Sequence, residues 1–101
     1  MIARIWRGAV TESDGDAYLQ YLRETGIKEY RETPGNRGVY VLRRLAAGRA
    51  EFVLISLWES MDAVRGFAGD EIVKAVFYPE DERFLVDRDE EVDHFDVVES
   101  P

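Results

Sequence analysis

The chain has 101 residues, of which 46% are hydrophobic and 34% are charged, so it can form one domain with a substantial core. Its net charge of −8 argues against a nucleic-acid partner, because phosphate binding needs a basic face. The absence of cysteine excludes disulfides, thiolate zinc sites and cysteine nucleophiles, and no apolar stretch approaches the ~18 residues of a membrane span. We therefore expect one domain over residues 1–101, in the cytoplasm and away from the membrane.

The first third of the chain predicts a strand followed by a helix. Residues 2–10 form an apolar strand in which two arginines, Arg4 and Arg7, flank Trp6. Residues that can accept the free amide hydrogens of a first helical turn come next: Thr11, Ser13 and Asp14. Apolar residues at near-helical spacing then predict a helix to about Tyr30, which Gly26 breaks or kinks before the turn at residues 33–38.

Two strands joined by a short hairpin follow, over residues 39–45 and 50–58. The second is apolar almost without interruption, which is typical of a strand buried on both faces. Alternation directs its side chains to opposite faces, with Phe52, Leu54 and Trp58 on one and Val53, Ile55 and Leu57 on the other. A chain this short covers only one sheet face with its own helices. We therefore expect a homodimer, in which a second copy covers the other face.

The second half of the chain predicts short helices and a final strand. Ser60 is placed to cap a helix that ends at Gly69. A short helix is predicted over residues 70–77, with one further turn over residues 80–85. An acidic loop then leads to a last strand over residues 92–99.

The order β-α-β-β-α-β is that of an α+β, ferredoxin-like fold. Right-handed crossovers place both helices on one face of a four-stranded antiparallel sheet. The bare faces of two copies can then pack together and close a dimeric α+β barrel.

Several separated motifs carry a family resemblance. They are residues 2–6 (IARIW), 33–38 (TPGNRG), 56–60 (SLWES), 67–69 (FAG), 78–81 (YPED) and His94. Taken in this order, over residues 1–98, the chain resembles the antibiotic-biosynthesis-monooxygenase-like family of dimeric α+β barrels, and within it a branch of small bacterial members. The resemblance implies a homodimer with one pocket per protomer, between the helices and the sheet.

The resemblance also implies two chemistries, one of which these residues do not support. Haem-degrading relatives use an asparagine in the first strand and a tryptophan and an axial histidine in the second helical region. Arg7, Phe67 and Phe77 stand at those places here. Without an imidazole at position 77 there is no iron ligand there, so haem degradation is not expected. The other chemistry is oxidation of aromatic molecules by oxygen without any cofactor.

The leading hypothesis is therefore a cofactor-independent monooxygenase, or a related enzyme, acting on a small aromatic or quinone-like molecule. The resemblance places Phe67 and Phe77 in the pocket wall, and Trp6 and Trp58 are further aromatic candidates, although such residues also serve simply as core. A non-catalytic small-ligand-binding or stress-associated dimer is the alternative. An isomerase or decarboxylase that uses the same pocket is a third reading.

Three residues are candidates for the chemistry itself. Arg7 would hold an anionic oxygen if Ala3 and Ile5 face the helices; otherwise it reaches solvent or pairs with an acid. His94, the only histidine, is the first candidate for a base, and the alternative is a structural histidine. Tyr78 would assist proton transfer. To act as a base, its hydroxyl would need a lowered pKa.

No metal site is expected. One histidine and no cysteine give no zinc-binding spacing. The acidic residues 87–93 resemble a calcium loop only superficially, because the glycine required at its sixth position is missing.

Overall fold

An antiparallel sheet carries the helices on one face and leaves the other face open. The computed structural model describes residues 1–101. The elements along the chain are β1 (Ile2–Thr11), a 3-10 turn (Glu12–Asp14), α1 (Gly15–Glu24), α2 (Gly26–Glu32), β2 (Asn36–Ala46), β3 (Arg49–Trp58), α3 (Met61–Ala68), α4 (Asp81–Phe84), β4 (Leu85–Arg88) and β5 (Asp93–Asp96).

The sheet order confirms the predicted fold class. β3 lies between β2 and β1, and β4 and β5 share the far edge of β1. β5 pairs with residues 2–5 of β1 and β4 with residues 8–10. The sheet thus has five strands and not the predicted four: β5 is a shorter form of the last strand predicted over residues 92–99, and β4 lies where the end of a helical turn and an acidic loop are predicted.

The strands present one set of side chains to the helices and the other to the open face. All helix-facing residues of β3 are buried: Ala50, Phe52, Leu54, Ser56 and Trp58. In β1 the side chains alternate between the two faces as predicted, but Arg7 is on the open face and not on the face that meets the helices. Arg4 and Trp6 face the helices, because they pair with Ser56 and Leu54 of β3.

The helices bear out two predicted boundaries and correct a third. The first helix breaks at Thr25, and Gly26 begins α2. The Ser60 hydroxyl caps α3 by accepting a hydrogen bond from the Ala63 amide at 3.1 Å. At the start of α1, however, no side chain caps the helix; the Thr11 hydroxyl donates to the Asp14 carboxylate instead.

The helix predicted over residues 70–77 is absent. We call residues 69–80, which form no helix, the strap. Its backbone bonds to the loop between β4 and β5, where the Val92 amide donates to the Val73 carbonyl at 2.7 Å and the Ala75 amide to the Glu90 carbonyl at 2.9 Å. These long-range bonds replace the local bonds of a helix, and the loop that makes them interrupts the edge strand.

Substitution of Gly35 tests how closely the turn before β2 packs against α3. It has a φ of +88°, and an added Cβ would lie 2.5 Å from the Ala63 Cβ. Gly48 has a φ of +77° with open space around it. We expect Gly48→Ala to lower the free energy of unfolding by about 1–2 kcal/mol through backbone strain alone. Gly35→Ala adds overpacking and should cost about 1–3 kcal/mol more. Urea unfolding measures both, and equal losses would contradict the expected clash.

Candidate functional site

A small cavity, which we call the central cavity, lies between the helices and the sheet. Its volume is about 30 Å³, room for no more than one or two water molecules. The residues that bear on its chemistry are Arg4, Trp6, Tyr30, Phe67, Phe77 and Tyr78. Most of the wall is apolar or aromatic, and few polar groups interrupt it, which is the usual composition of a small-molecule site.

Three of the four aromatic residues predicted to wall the pocket border the central cavity. The rings of Trp6 and Phe77 meet edge to face, with centroids 6.3 Å apart. Phe67 lies on another side of the wall. Trp58 is fully buried behind Phe67, its ring centroid 5.7 Å away, so it supports the wall without lining the cavity.

Arg4 is the principal polar residue of the central cavity, and the sequence-based prediction did not select it. Its side chain donates to the Ile72 carbonyl at 2.5 Å and to the Lys74 carbonyl at 2.9 Å, which ties down the strap. Its guanidinium lies 5.8 Å from the centroid of the Phe67 ring. Only 3% of the residue is exposed, and it forms no ion pair with any carboxylate.

Burial lowers the pKa of Arg4, but an arginine side chain still stays protonated in a protein. The site therefore contains a buried positive charge held by neutral groups, and the one carboxylate that borders the cavity, Asp81, accepts hydrogen bonds from Tyr18 and Tyr78 and not from Arg4. Such a charge is costly to bury and attracts a negative ligand. One signal could have identified it: Arg4 shares a strand face with Trp6, a predicted pocket residue.

Arg7 lies outside the central cavity. It is on the open face, where its guanidinium is half exposed and lies 3.8 Å from the Asp89 carboxylate and 3.5 Å from the Asp93 carboxylate. The condition for placing Arg7 in the pocket, that Ala3 and Ile5 face the helices, is not met. The predicted location of Arg7 is therefore wrong, and Arg4 has the position that was expected for it.

His94 contacts Arg4 from the neighbouring strand and does not line the central cavity. Its Nε2 is 3.0 Å from Arg4 Nη1. Because a guanidinium only donates, Nε2 must accept, and this geometry assigns the proton of the neutral ring to Nδ1. Burial and the charge of Arg4 lower the pKa of His94, while Asp93 acts in the opposite direction.

The His94–Arg4 contact predicts a pH dependence of stability. Since the folded pKa lies below the ordinary value of 6.5, the unfolded chain binds the proton more readily. The free energy of unfolding is therefore expected to fall as the pH is lowered from about 6.5 towards 5. His94→Gln keeps an acceptor without a titrating group and should flatten this part of the profile. Urea unfolding between pH 7.5 and 5 measures both proteins, and parallel profiles would contradict the effect.

Tyr78 joins the strap to α2. Its hydroxyl hydrogen-bonds with the Glu29 carboxylate, and burial together with this bond raises the pKa of Tyr78. A role as a base with a lowered pKa is therefore contradicted by its surroundings. Asp81, which the sequence-based prediction missed, is buried beside it and accepts from the Tyr78 amide at 2.6 Å and the Tyr18 hydroxyl at 3.0 Å. These bonds fix the end of the strap against α1.

The residues present do not fit a haem. Phe77 has no donor atom, and the imidazole of His94 directs Nε2 at Arg4. No three side chains of His, Cys, Asp or Glu converge so that they could hold a metal ion.

None of the helices combines the length and apolar character needed to cross a membrane.

Solved structures share this fold over the whole chain. A Bacillus cereus protein named among the antibiotic biosynthesis monooxygenases is 21% identical, with a TM-score of 0.65, and the match covers 99% of this chain and 95% of that one. The haem-degrader MhuD of Mycobacterium tuberculosis, solved with two haems in its active site, is 16% identical with a TM-score of 0.61, over 100% and 99%. Rv0793 of the same organism is 19% identical with a TM-score of 0.60, over 98% and 96%.

Sequence comparison gives the family. No curated protein sequence matches the chain significantly. The sequence profile of the family named antibiotic biosynthesis monooxygenase matches residues 1–77, and this family includes monooxygenases. The resemblance seen in the sequence motifs is thus confirmed, and the chain belongs to the antibiotic biosynthesis monooxygenase family.

Proposed function

We propose that this protein is a cofactor-independent monooxygenase that acts on a small aromatic or quinone-like molecule in the central cavity. The observation that carries the proposal is the buried Arg4 guanidinium, which has no carboxylate partner and borders an aromatic wall. Its complement is a flat ring that bears a negatively charged oxygen. Membership of a family that includes monooxygenases supports oxygen as the co-substrate.

In this proposal an electron-rich phenol or anthrone supplies all the reducing power. Loss of a proton gives its anion, which donates electrons to oxygen. A new C–O bond forms, and loss of water leaves a carbonyl. A CH₂ group and O₂ thus become C=O and H₂O, with one oxygen atom in each product. Arg4 stabilises the substrate anion electrostatically in a site that excludes water.

Tyr78 and Glu29 would carry the substrate proton. In a concerted relay the Tyr78 hydroxyl accepts the proton while it passes its own to the Glu29 carboxylate, with which it is hydrogen-bonded. Such a relay does not require a lowered pKa for the phenol, because no free phenolate forms. His94 would act as a positioning residue, since it contacts Arg4 and not the cavity.

Substrate entry would require movement of the strap. A cavity of about 30 Å³ cannot hold an aromatic ring. Val76, Phe77 and Tyr78 of the strap form part of its wall, and Arg4 binds two strap carbonyls. An anionic substrate competes for the same guanidinium, so its binding would loosen these bonds as it fills the site.

A homodimer in the cytoplasm is part of the proposal. The open face exposes large apolar side chains, among them Tyr40, Leu42 and Phe95, beside the partly exposed Val53 and Ile55. A contiguous apolar surface of this kind is typical of an interface. Members of the family are commonly dimeric, which supports a second copy as the cover.

A non-catalytic ligand-binding or stress-associated dimer is the second candidate. It is favoured by the position of His94, since the only histidine does not border the central cavity. Haem degradation, the activity of MhuD, is not proposed, because Phe77 has no donor atom, the Tyr78 hydroxyl and the Asp81 carboxylate are engaged in hydrogen bonds, and the cavity of about 30 Å³ has no room for a porphyrin.

Oxygen consumption tests the proposal. Anthrones and hydroquinones would be screened for protein-dependent oxygen uptake, and products formed under ¹⁸O₂ would be analysed by mass spectrometry. We expect one labelled oxygen atom per anthraquinone formed from an anthrone. A hydroquinone that is converted to an unlabelled quinone and H₂O₂ would indicate an oxidase and not a monooxygenase. Native mass spectrometry of the same preparation reports assembly and any retained small molecule. Ligand binding without oxygen uptake would overturn the monooxygenase and favour the binding protein.

A further inference from the structure

We infer that the Tyr30 hydroxyl is the second hydrogen-bond donor of the central cavity and that, together with Arg4, it binds the anionic oxygen of an aromatic oxyanion such as a phenolate. This inference rests on the proposed function and names the ionic form in which the substrate is held.

Tyr30 and Arg4 meet at one aromatic ring of the cavity wall. Tyr30 lies on α2, is 7% exposed and borders the central cavity. Its ring centroid is 4.7 Å from that of Phe67, and the Arg4 guanidinium is 5.8 Å from the same centroid. The two residues therefore border the cavity beside the same ring, Tyr30 from α2 and Arg4 from β1.

Tyr30 is the cavity tyrosine whose hydroxyl remains free. The hydroxyl of Tyr18 donates to Asp81, and that of Tyr78 hydrogen-bonds with Glu29. No protein group hydrogen-bonds with the Tyr30 hydroxyl. Because every fully occluded side-chain polar atom in the structure has a partner, this hydroxyl must keep access to open space. It can therefore donate to a ligand without breaking an existing bond.

The charges around the three tyrosines separate their roles. Tyr18 and Tyr78 each hydrogen-bond with a carboxylate, which repels an anion. Tyr30 bonds to none, and the positive charge of Arg4 acts on the pKa of Tyr30 more strongly than the negative charge of either Asp81 or Glu29 does. Burial is the larger effect and raises the pKa of Tyr30 to about 12. At neutral pH Tyr30 is thus a protonated donor. Two preorganised donors in a dry site stabilise an oxyanion far better than water-exposed donors do.

Titration of a coloured phenol bound to the protein tests the inference. 4-Nitrophenol reports its own ionisation by absorbance, and it would be titrated with wild-type protein, Tyr30→Phe and the control Tyr40→Phe, which removes a hydroxyl on the opposite face of the sheet, away from the cavity. We expect wild type and Tyr40→Phe to bind the phenolate and to lower the apparent pKa of the bound probe. Tyr30→Phe should weaken phenolate binding about 10- to 100-fold, the effect of one hydrogen bond to a charged group.

The outcomes separate this inference from the proposed function. Equal phenolate affinity in Tyr30→Phe and Tyr40→Phe would overturn the inference, as would a wild-type protein that does not bind the phenolate. Oxygen uptake that Tyr30→Phe leaves unchanged would overturn it while the monooxygenase stands. Phenolate binding that depends on Tyr30, without oxygen uptake from any anthrone or hydroquinone, would support the inference and overturn the monooxygenase.

Discussion

Replacing Arg4 by methionine is expected to lower kcat/KM for oxygen uptake at least 100-fold, and to abolish phenolate binding in the titration. The residue supplies the only positive charge that borders the central cavity. Removing one preorganised donor from an anion-stabilising site costs about 10²–10³ in rate, and here the whole charge is lost. Initial rates of oxygen uptake with the best substrate from the screen measure the effect.

The same substitution should also free the strap. Arg4→Met leaves the Ile72 and Lys74 carbonyls without their donor, so amide hydrogen exchange in residues 69–80 is expected to become faster. Arg23→Met is the matched control, since Arg23 is exposed on α1 and does not border the cavity. Arg4→Met protein that folds, yet consumes oxygen as fast as Arg23→Met, would contradict the proposed role of Arg4.

Substitutions at two neighbouring residues of β3 distinguish the hydrophobic core from the proposed dimer interface. Leu54 is 3% exposed and faces the helices, whereas Ile55 is partly exposed on the open face. Leu54→Asp is expected to prevent folding, because an unpaired buried charge costs several kcal/mol of a total stability of about 5–15 kcal/mol. Ile55→Asp should leave the fold intact and convert the dimer into a monomer, because the charge would be buried only between two copies.

Circular dichroism and analytical ultracentrifugation distinguish these results. Val98→Asp is the control, since it adds the same charge to an apolar residue that is 93% exposed near the C-terminus. It should change neither fold nor assembly. A folded Ile55→Asp protein that sediments like wild type would place the interface elsewhere, and a monomeric wild type would remove the dimer from the proposal.

The sequence by itself determined the order of elements and most of the cavity wall. Alternation along residues 50–58 predicted which side chains of β3 share a face, and Ser60 predicted its helix start, because both signals are local and need only the geometry of a strand or a first turn. Phe67, Phe77, Trp6 and Tyr78 were selected from the family resemblance or as aromatic candidates, and all four border the central cavity.

Only the tertiary structure decided which arginine enters that cavity. A period of two assigns Arg4 and Arg7 to opposite faces of β1 but does not say which face meets the helices. Two strap carbonyls and His94, at least 68 positions away in the chain, supply the partners that make burial of Arg4 tolerable. Those same distant bonds, and the strap's bonds to the loop after β4, replaced the predicted helix at residues 70–77, and that loop separates β5 from β4, a strand that the sequence did not predict. The local helix and strand propensities of the sequence do not predict such contacts, because their partners come together only when the chain is folded.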